Sequence, residues 1–317
     1  MASLHPADAW PELPYAVLRP TLETLQLWTQ VVGKVRLAQT PWVNHSWHAT
    51  LYVSARGLTT SLIPHGALGF ELEFDLVSHA LIVRVSDGGA ARIALAPGSV
   101  ADFYDELLAT MATLGVPVEI NVHPNELPDP TLFPLDTALR QYVPESAHRF
   151  WRALVQCDRV FKRFRTRFIG KCSPVHLFWG SFDLAVTRFS GRAAPLHPGG
   201  VPHLPDAVTR EAYSHEVSSA GFWPGGGTVE HAAFYSYCYP TSAGFAEAAV
   251  APEGARFDPL LGEFLLPYET VRGAGDPEAA LLTFLQATYE AAANTGRWDR
   301  TALEVEEGRL GHPRPVG

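Results

Sequence analysis

The stretch PVHLFWGSFDLAVTRF, residues 174–189, decides how the second half of the chain is read. Phe178, Trp179, Phe182, Leu184 and Val186 give it the character of a buried strand. Lys171 just ahead of it, His176, Asp183 and Arg188 within it, and Arg192 just beyond it are ionisable. An unpaired charge inside an apolar strand costs several kcal/mol, so these groups need partners or a task. Alternation sets His176, Phe178, Gly180, Phe182, Leu184, Val186 and Arg188 on one face, and Trp179, Ser181, Asp183, Ala185 and Thr187 on the other. A bulge at Gly180 would break that parity.

Outward from this stretch the chain shows an order of elements that occurs twice. A helical apolar stripe (Leu22, Leu25, Trp28, Val31, Val32, Val35) precedes strand-like runs, and a capped helix follows from Ser99 to Gly115. In the second half, Glu145–Phe168 reads as a helix, four strands follow, and a last helix opens with Asp276 and Pro277 and stops at Gly296. A gap-free overlay of PWVNHSWHATLYVSARG on PVHLFWGSFDLAVTRFS matches Pro41 with Pro174, Leu51 with Leu184 and Val53 with Val186, a separation of 174 − 41 = 133. The expected fold class is therefore α+β and internally duplicated. Each half is expected to hold a long helix, a mostly antiparallel sheet and a closing helix. The halves are residues 1–123 and 145–317, joined by a proline-rich connector over 124–144. The second half also carries long Gly- and Pro-rich segments, the kind of loop that forms lids and binding surfaces.

Composition narrows the function classes. The chain has 317 residues, 47% hydrophobic and 18% charged, which is a core-forming balance. A net charge of −9 argues against nucleic-acid binding as the main role. The basic run Arg159, Lys162, Arg163, Arg165 and Arg167 reads first as a solvated helix face. Cys157, Cys172 and Cys238 form no C-x-x-C pair, which fits a reducing compartment. No leader pattern opens the sequence and no apolar run reaches membrane-spanning length, so a soluble, cytoplasmic protein without a membrane partner is expected. G-x-S-x-G, G-x-G-x-x-G and G-K-[ST] signatures are all missing from the sequence.

The candidate site residues come from the second half. At the 133 separation, Lys171, His176, Asp183 and Arg188 fall on Ala38, Val43, Thr50 and Ala55, so they are additions that folding does not require. His176, Asp183, His215 and Glu216 are the candidate acid–base groups, since imidazole and carboxyl groups exchange protons near neutral pH. Lys171, Arg188 and Arg192 are candidates to neutralise an anionic substrate. Trp179, Trp223 and the face shared by Tyr235 and Tyr237 would wall a pocket, with Trp223 on a loop as a lid residue. His48 lies on a polar face of the first copy that would line the other side of an inter-repeat cleft. Three strand histidines with a carboxylate are zinc or iron ligand types, but no spacing motif supports a metal, so the cofactor is left unknown. Each histidine taken alone also reads as an ordinary hydrogen-bonded side chain. The ionisable cluster likewise reads as a lock between the halves.

The segments SPVHLFWGSFDLAVTRFSGRAAP, YSHEVSSAGFWPG, FYSYCYP, GEFLLPYE and WDR resemble an uncharacterised domain-of-unknown-function family found widely in bacteria. The resemblance runs from WPELP to WDRTALE and implies no activity, cofactor or catalytic residue. From the residues themselves, the leading expectation is an enzyme acting on a small polar or anionic molecule by acid–base or metal-assisted chemistry in a cleft of the second repeat. The alternative is a non-catalytic protein that binds a small molecule or peptide. Substrate, reaction and oligomeric state are not legible.

Overall fold

The computed structural model describes residues 9–314; the N-terminal residues 1–8, read above for a leader, lie outside that range. Helix α1 (Tyr15–Gln39) buries the stripe Leu18, Leu22, Leu25, Trp28, Val31, Val32 and Val35. It leads into a sheet of six short strands: β1 (Tyr52–Val53), β2 (Gly57–Thr59), β3 (Ile63–His65), β4 (Leu68–Asp75), β5 (Ala80–Val85) and β6 (Ala90–Ala94). The order is β1-β2-β4-β5-β6, with β3 also paired to β4, and every pairing is antiparallel. Helix α2 (Val100–Thr113) closes the half. The Asp102 amide donates to Ser99 Oγ at 3.0 Å, and Gly115 takes φ 74 after its last turn. A cap of this kind contributes about 1 kcal/mol.

The second half keeps the same order. Helix α3 (Pro144–Arg165) precedes β7 (His176–Phe178), β8 (Asp183–Ala193), the short helix α4 (Asp206–Ala212), β9 (His215–Trp223), β10 (Ala233–Tyr239), β11 (Arg256–Asp258) and β12 (Glu263–Pro267). The sheet order is β11-β12-β10-β9-β8-β7, again antiparallel. Helices α5 (Tyr268–Arg272), α6 (Pro277–Thr295) and α7 (Arg300–Leu303) complete the described residues. Asp276 caps α6 by accepting from the Ala279 amide at 3.0 Å. The chain is thus α+β, with seven helices and two six-stranded sheets among the described residues.

The opening stretch differs from the single strand expected. Residues 179–182 turn back, Phe182 taking φ 60, and β7 and β8 form a hairpin. Phe178 pairs with Asp183 and His176 with Ala185, so His176 and Asp183 share one face after all. Aromatic residues in the turn made it look like continuous strand, while Gly180 and Ser181 supplied the turn chemistry.

The two halves meet where Leu51 and Leu177 exchange both backbone hydrogen bonds, at 2.9 and 2.8 Å. Lys171 meets His45, and His176 meets Thr50, each pair 126 residues apart, as are Leu51 and Leu177. Helices α1 and α3 end at Gln39 and Arg165, also 165 − 39 = 126 apart. This separation of 126 recurs in the seam contacts and in the helix ends. It is seven residues less than the overlay in the sequence, and seven residues are about two helical turns. Amphipathic helices therefore match about equally well at either separation, and helix pattern could not tell them apart.

The second sheet has two faces of different character. Leu184, Val186, Ala220, Phe222, Phe234, Phe264 and Leu266 are buried, and aromatic contacts from Phe161 of α3 to Phe234 and from Phe234 to Tyr268 tie that face to the helices. Asp183, Thr187, Ser219, Gly221, Tyr235, Tyr237 and Glu263 lie on the opposite face, under the loop of residues 194–214. Here His197 stacks on Tyr213 at 4.8 Å and Tyr239 Oη donates to the Pro195 carbonyl.

Candidate active site

The polar loop face gathers its side chains around Asp183. Tyr235 and Tyr237, two apart on β10, stack at 6.1 Å with planes 16° apart. Tyr235 Oη donates to Asp183 Oδ2, and Ser181 Oγ donates to Asp183 Oδ1. Tyr235 reaches a strand that is not its neighbour, because the residue opposite it on the intervening β9 is Gly221. A Cβ at Gly221 would lie 2.4 Å from Tyr235 Oη, so only glycine leaves the ring this path. Tyr237 Oη and Tyr213 Oη share a hydrogen bond of 2.8 Å. Burial pushes the Asp183 carboxyl upward, and the hydrogen bonds from Ser181 and Tyr235 oppose that. Burial raises both ladder tyrosines and lifts Tyr213 to about 12.

The charge of Asp183 acts on two further carboxyls, and neither was singled out in the sequence. Glu126 comes from the connector, in the left-handed region at φ 59. Its Oε1 fills the space where a Cβ on Gly180 would stand, 2.1 Å away. Glu263 opens β12. Burial first, and then the charge of Asp183, raise each of them to about 7, with Asp258 adding to the effect on Glu263. No protein donor among the described residues hydrogen-bonds either carboxyl, so their acceptor capacity is unspent. A left-handed glutamate is a costly backbone state that the surrounding structure must hold. The Glu126 amide donates to the Pro202 carbonyl at 3.2 Å, and Asn125 beside it is gripped by Gln30 of α1 on both backbone groups, at 2.7 and 3.0 Å. The connector is thus pinned between α1 and the long loop of the second half.

Lys34 of α1 completes the floor. It is 4% exposed, donates to Asn125 Oδ1 at 2.5 Å, and lies 5.5 Å from the Trp179 ring. Burial lowers its pKa to about 8. Trp179 itself donates from Nε1 to the Ala49 carbonyl at 2.8 Å. Trp223 is the last residue of β9, its backbone paired with Ala233, and not a loop residue as the glycine run after it suggested.

The other candidates stand in three separate places. At the seam between the halves, His176 is fully buried with Nδ1 3.3 Å from Thr50 Oγ1, and burial lowers it to about 3. Also at the seam, His48 is 2% exposed with Nδ1 3.2 Å from the backbone of Val43. Lys171 Nζ sits 2.6 Å from His45 Nε2 and 4.6 Å from the Phe189 ring centroid, and the His45 and His215 rings are 6.2 Å apart. On the helix face, Arg188 is 1% exposed, with its guanidinium 3.5 Å from the Phe164 centroid, and donates to the Phe164 carbonyl at 2.5 Å. At the end of α6, Arg192 pairs with Glu216 at 2.6 Å and donates to the carbonyls of Gly296 and Arg297. A cation there complements the helix dipole.

Asp183, Tyr235 and Tyr237 therefore meet at one site, with Trp223 one residue past the Phe222 that pairs with Leu184 beside Asp183, while Trp179 lies against Lys34 and Ala49 of the first half. The histidines, Lys171, Arg188, Arg192 and Glu216 do not reach it. No three His, Cys, Asp or Glu side chains among the described residues are grouped to hold a metal ion. In the basic run, Arg159, Lys162, Arg163 and Arg167 are ion-paired with Glu278, Asp158 and Glu307, so that face is largely neutralised. No described helix is long and apolar enough to cross a membrane.

Comparison with known proteins adds the lineage. The family of unknown function DUF5996 matches residues 10–305. The chain belongs to DUF5996. No curated protein and no solved structure matches it. Glu126, Asp183, Tyr235 and Glu263 all fall inside the stretch that defines membership in DUF5996, so the site is built within the family domain.

Proposed function

We propose that this DUF5996 protein is an enzyme that moves a proton on a small polar molecule at the loop face of its second sheet. The observation that carries this reading is the Glu126 carboxyl, set over Gly180 beside the Ser181–Asp183–Tyr235 hydrogen bonds with no protein donor spent on it. A carboxyl poised near neutral pH serves equally as proton acceptor and donor, which is the condition for efficient acid–base catalysis. Glu126 is the proton-transfer group. Burial raises it first, and the charge of Asp183, whose oxygens both already accept, adds to that. Tyr235 and Tyr237 offer flat walls to the substrate. With three carboxyls and the Lys34 ammonium already held by Asn125, the site suits a neutral or positively charged substrate better than an anionic one. Three unpaired cysteines fit a reducing, cytoplasmic setting for that work.

The test is untargeted. Wild type, Glu126→Gln and Asp183→Asn are incubated with a small-metabolite extract and the mixtures compared by mass spectrometry. A compound consumed by wild type and left intact by Glu126→Gln, with both proteins folded by circular dichroism, supports the reading. A molecule retained on the protein but never converted would place it in the binding class instead.

A further inference from the structure

A second polar cluster lies apart from the candidate active site. The Leu51–Leu177 bridge is antiparallel, so Tyr52 stands opposite His176 across the seam. The Arg36 guanidinium lies 5.1 Å from the Tyr52 ring centroid. Arg36 is in the last turn of α1 and Arg165 ends α3, so both helices bring an arginine to this region. The Trp47 ring is 6.5 Å from His176, and His48 is its neighbour in the chain.

Four side chains here keep buried nitrogens that no protein acceptor meets: Arg36 Nε and Nη1, Arg165 Nε, His48 Nε2 and His176 Nε2; the rest of the Arg165 guanidinium reaches the Cys172 thiol. Arg36, His48 and His176 are 6%, 2% and 0% exposed. No Asp or Glu among the described residues forms an ion pair with Arg36 or Arg165, whereas Arg140 and Arg192 are each paired with a carboxylate. The charges that act on His176 are those of Arg36 and Arg165, both positive. Glu211, held by Trp42 Nε1 at 2.7 Å, is the acid that acts on His48, and it is the weakest influence there. A buried guanidinium without an acceptor or a counter-charge is among the costliest arrangements in a folded protein. Hydrogen bonds from arginine and histidine to an anion are of the strong, charge-assisted kind.

We propose that the seam between the two halves is a binding site for a compact inorganic anion, held by Arg36, Arg165, His48 and His176. The ligand sits where the two similar units meet, so its binding free energy also holds the halves together.

Thermal unfolding and calorimetric titration of the full chain test this. Chloride, sulfate and phosphate are each added at constant ionic strength, with sodium gluconate as the balancing salt. At least one should bind about one per chain and raise Tm saturably by several degrees, and the three arms identify which. Arg36→Met and Arg165→Met should each weaken that binding at least tenfold. If Arg36→Met does not fold, Arg165→Met reads the same property, since Arg165 is only half-buried. A Tm that follows ionic strength alone, or anion binding that persists unchanged in the folded arginine variants, overturns the proposal.

Discussion

Replacing Glu126 with glutamine should make the protein more stable at pH 8 and less active, because the wild-type carboxyl is held where its charge is unwelcome. Its pKa rises from 4.5 to about 7 on folding, through burial and the charge of Asp183. At about 1.4 kcal/mol for each factor of ten in proton affinity, this corresponds to about 3 kcal/mol. For a carboxyl whose pKa is raised by folding, the native state binds more protons than the unfolded chain between pH 4.5 and about 7. Stability therefore falls as pH rises through that window, and the loss is complete above it. Glutamine has nearly the same shape and no charge, so Glu126→Gln should lose this fall and gain about 2–3 kcal/mol over wild type at pH 8, with little gain at pH 5. Urea unfolding of both proteins at half-unit steps from pH 5 to 8.5 measures it. Parallel wild-type and variant curves, or a variant less stable at pH 8, would refute the idea that Glu126 is an unneutralised carboxyl beside Asp183. The same strain is the reason to expect function from the residue, since stability lost at a site is commonly retained for its chemistry.

Other substitutions probe the same frame. Tyr235→Phe removes a donor from buried Asp183 and should cost about 1–3 kcal/mol in urea unfolding, while abolishing turnover of any substrate the metabolite screen finds. Gly221→Ala sets a Cβ 2.4 Å from Tyr235 Oη and 2.5 Å from the Leu184 carbonyl oxygen. It should destabilise by about 1–3 kcal/mol, and a Tyr235 ring resonance shifted in the NMR spectrum would show the ring displaced. Arg192→Ala loses a half-exposed ion pair with Glu216 and the cap on α6, so about 1–2 kcal/mol should go with activity unchanged. An Arg192 variant that folds normally and fails to turn over substrate would return that pair to the active site.

Much of the fold is legible in local chemistry. Ser99, Asp276 and Pro277 announce helix starts, and the stripe from Leu22 to Val35 announces the buried side of α1. The site is legible only in part. Asp183, Tyr235 and Tyr237 were recognisable as polar groups on apolar strands. Glu126 was not, because PNELPDP has the composition of a spacer, and nothing in it says that Pro202 and Gln30 will hold it over Gly180. Lys34 was legible in principle: a cation between Val32 and Val35 on a buried stripe is as exceptional as Asp183.

The sequence by itself determined the α+β class, the repeated order of helix, strands and helix, and membership in a family, because caps, periods and motifs are encoded within a few residues of where they act. Tertiary structure alone decided that residues 174–189 turn back on themselves, that residues 126 apart meet at the seam, and that the connector brings Glu126 to the tyrosine-walled face around Asp183. Pairing partners, burial and the charge one carboxyl imposes on another depend on which distant segments meet, and that is set by the packing of the whole chain.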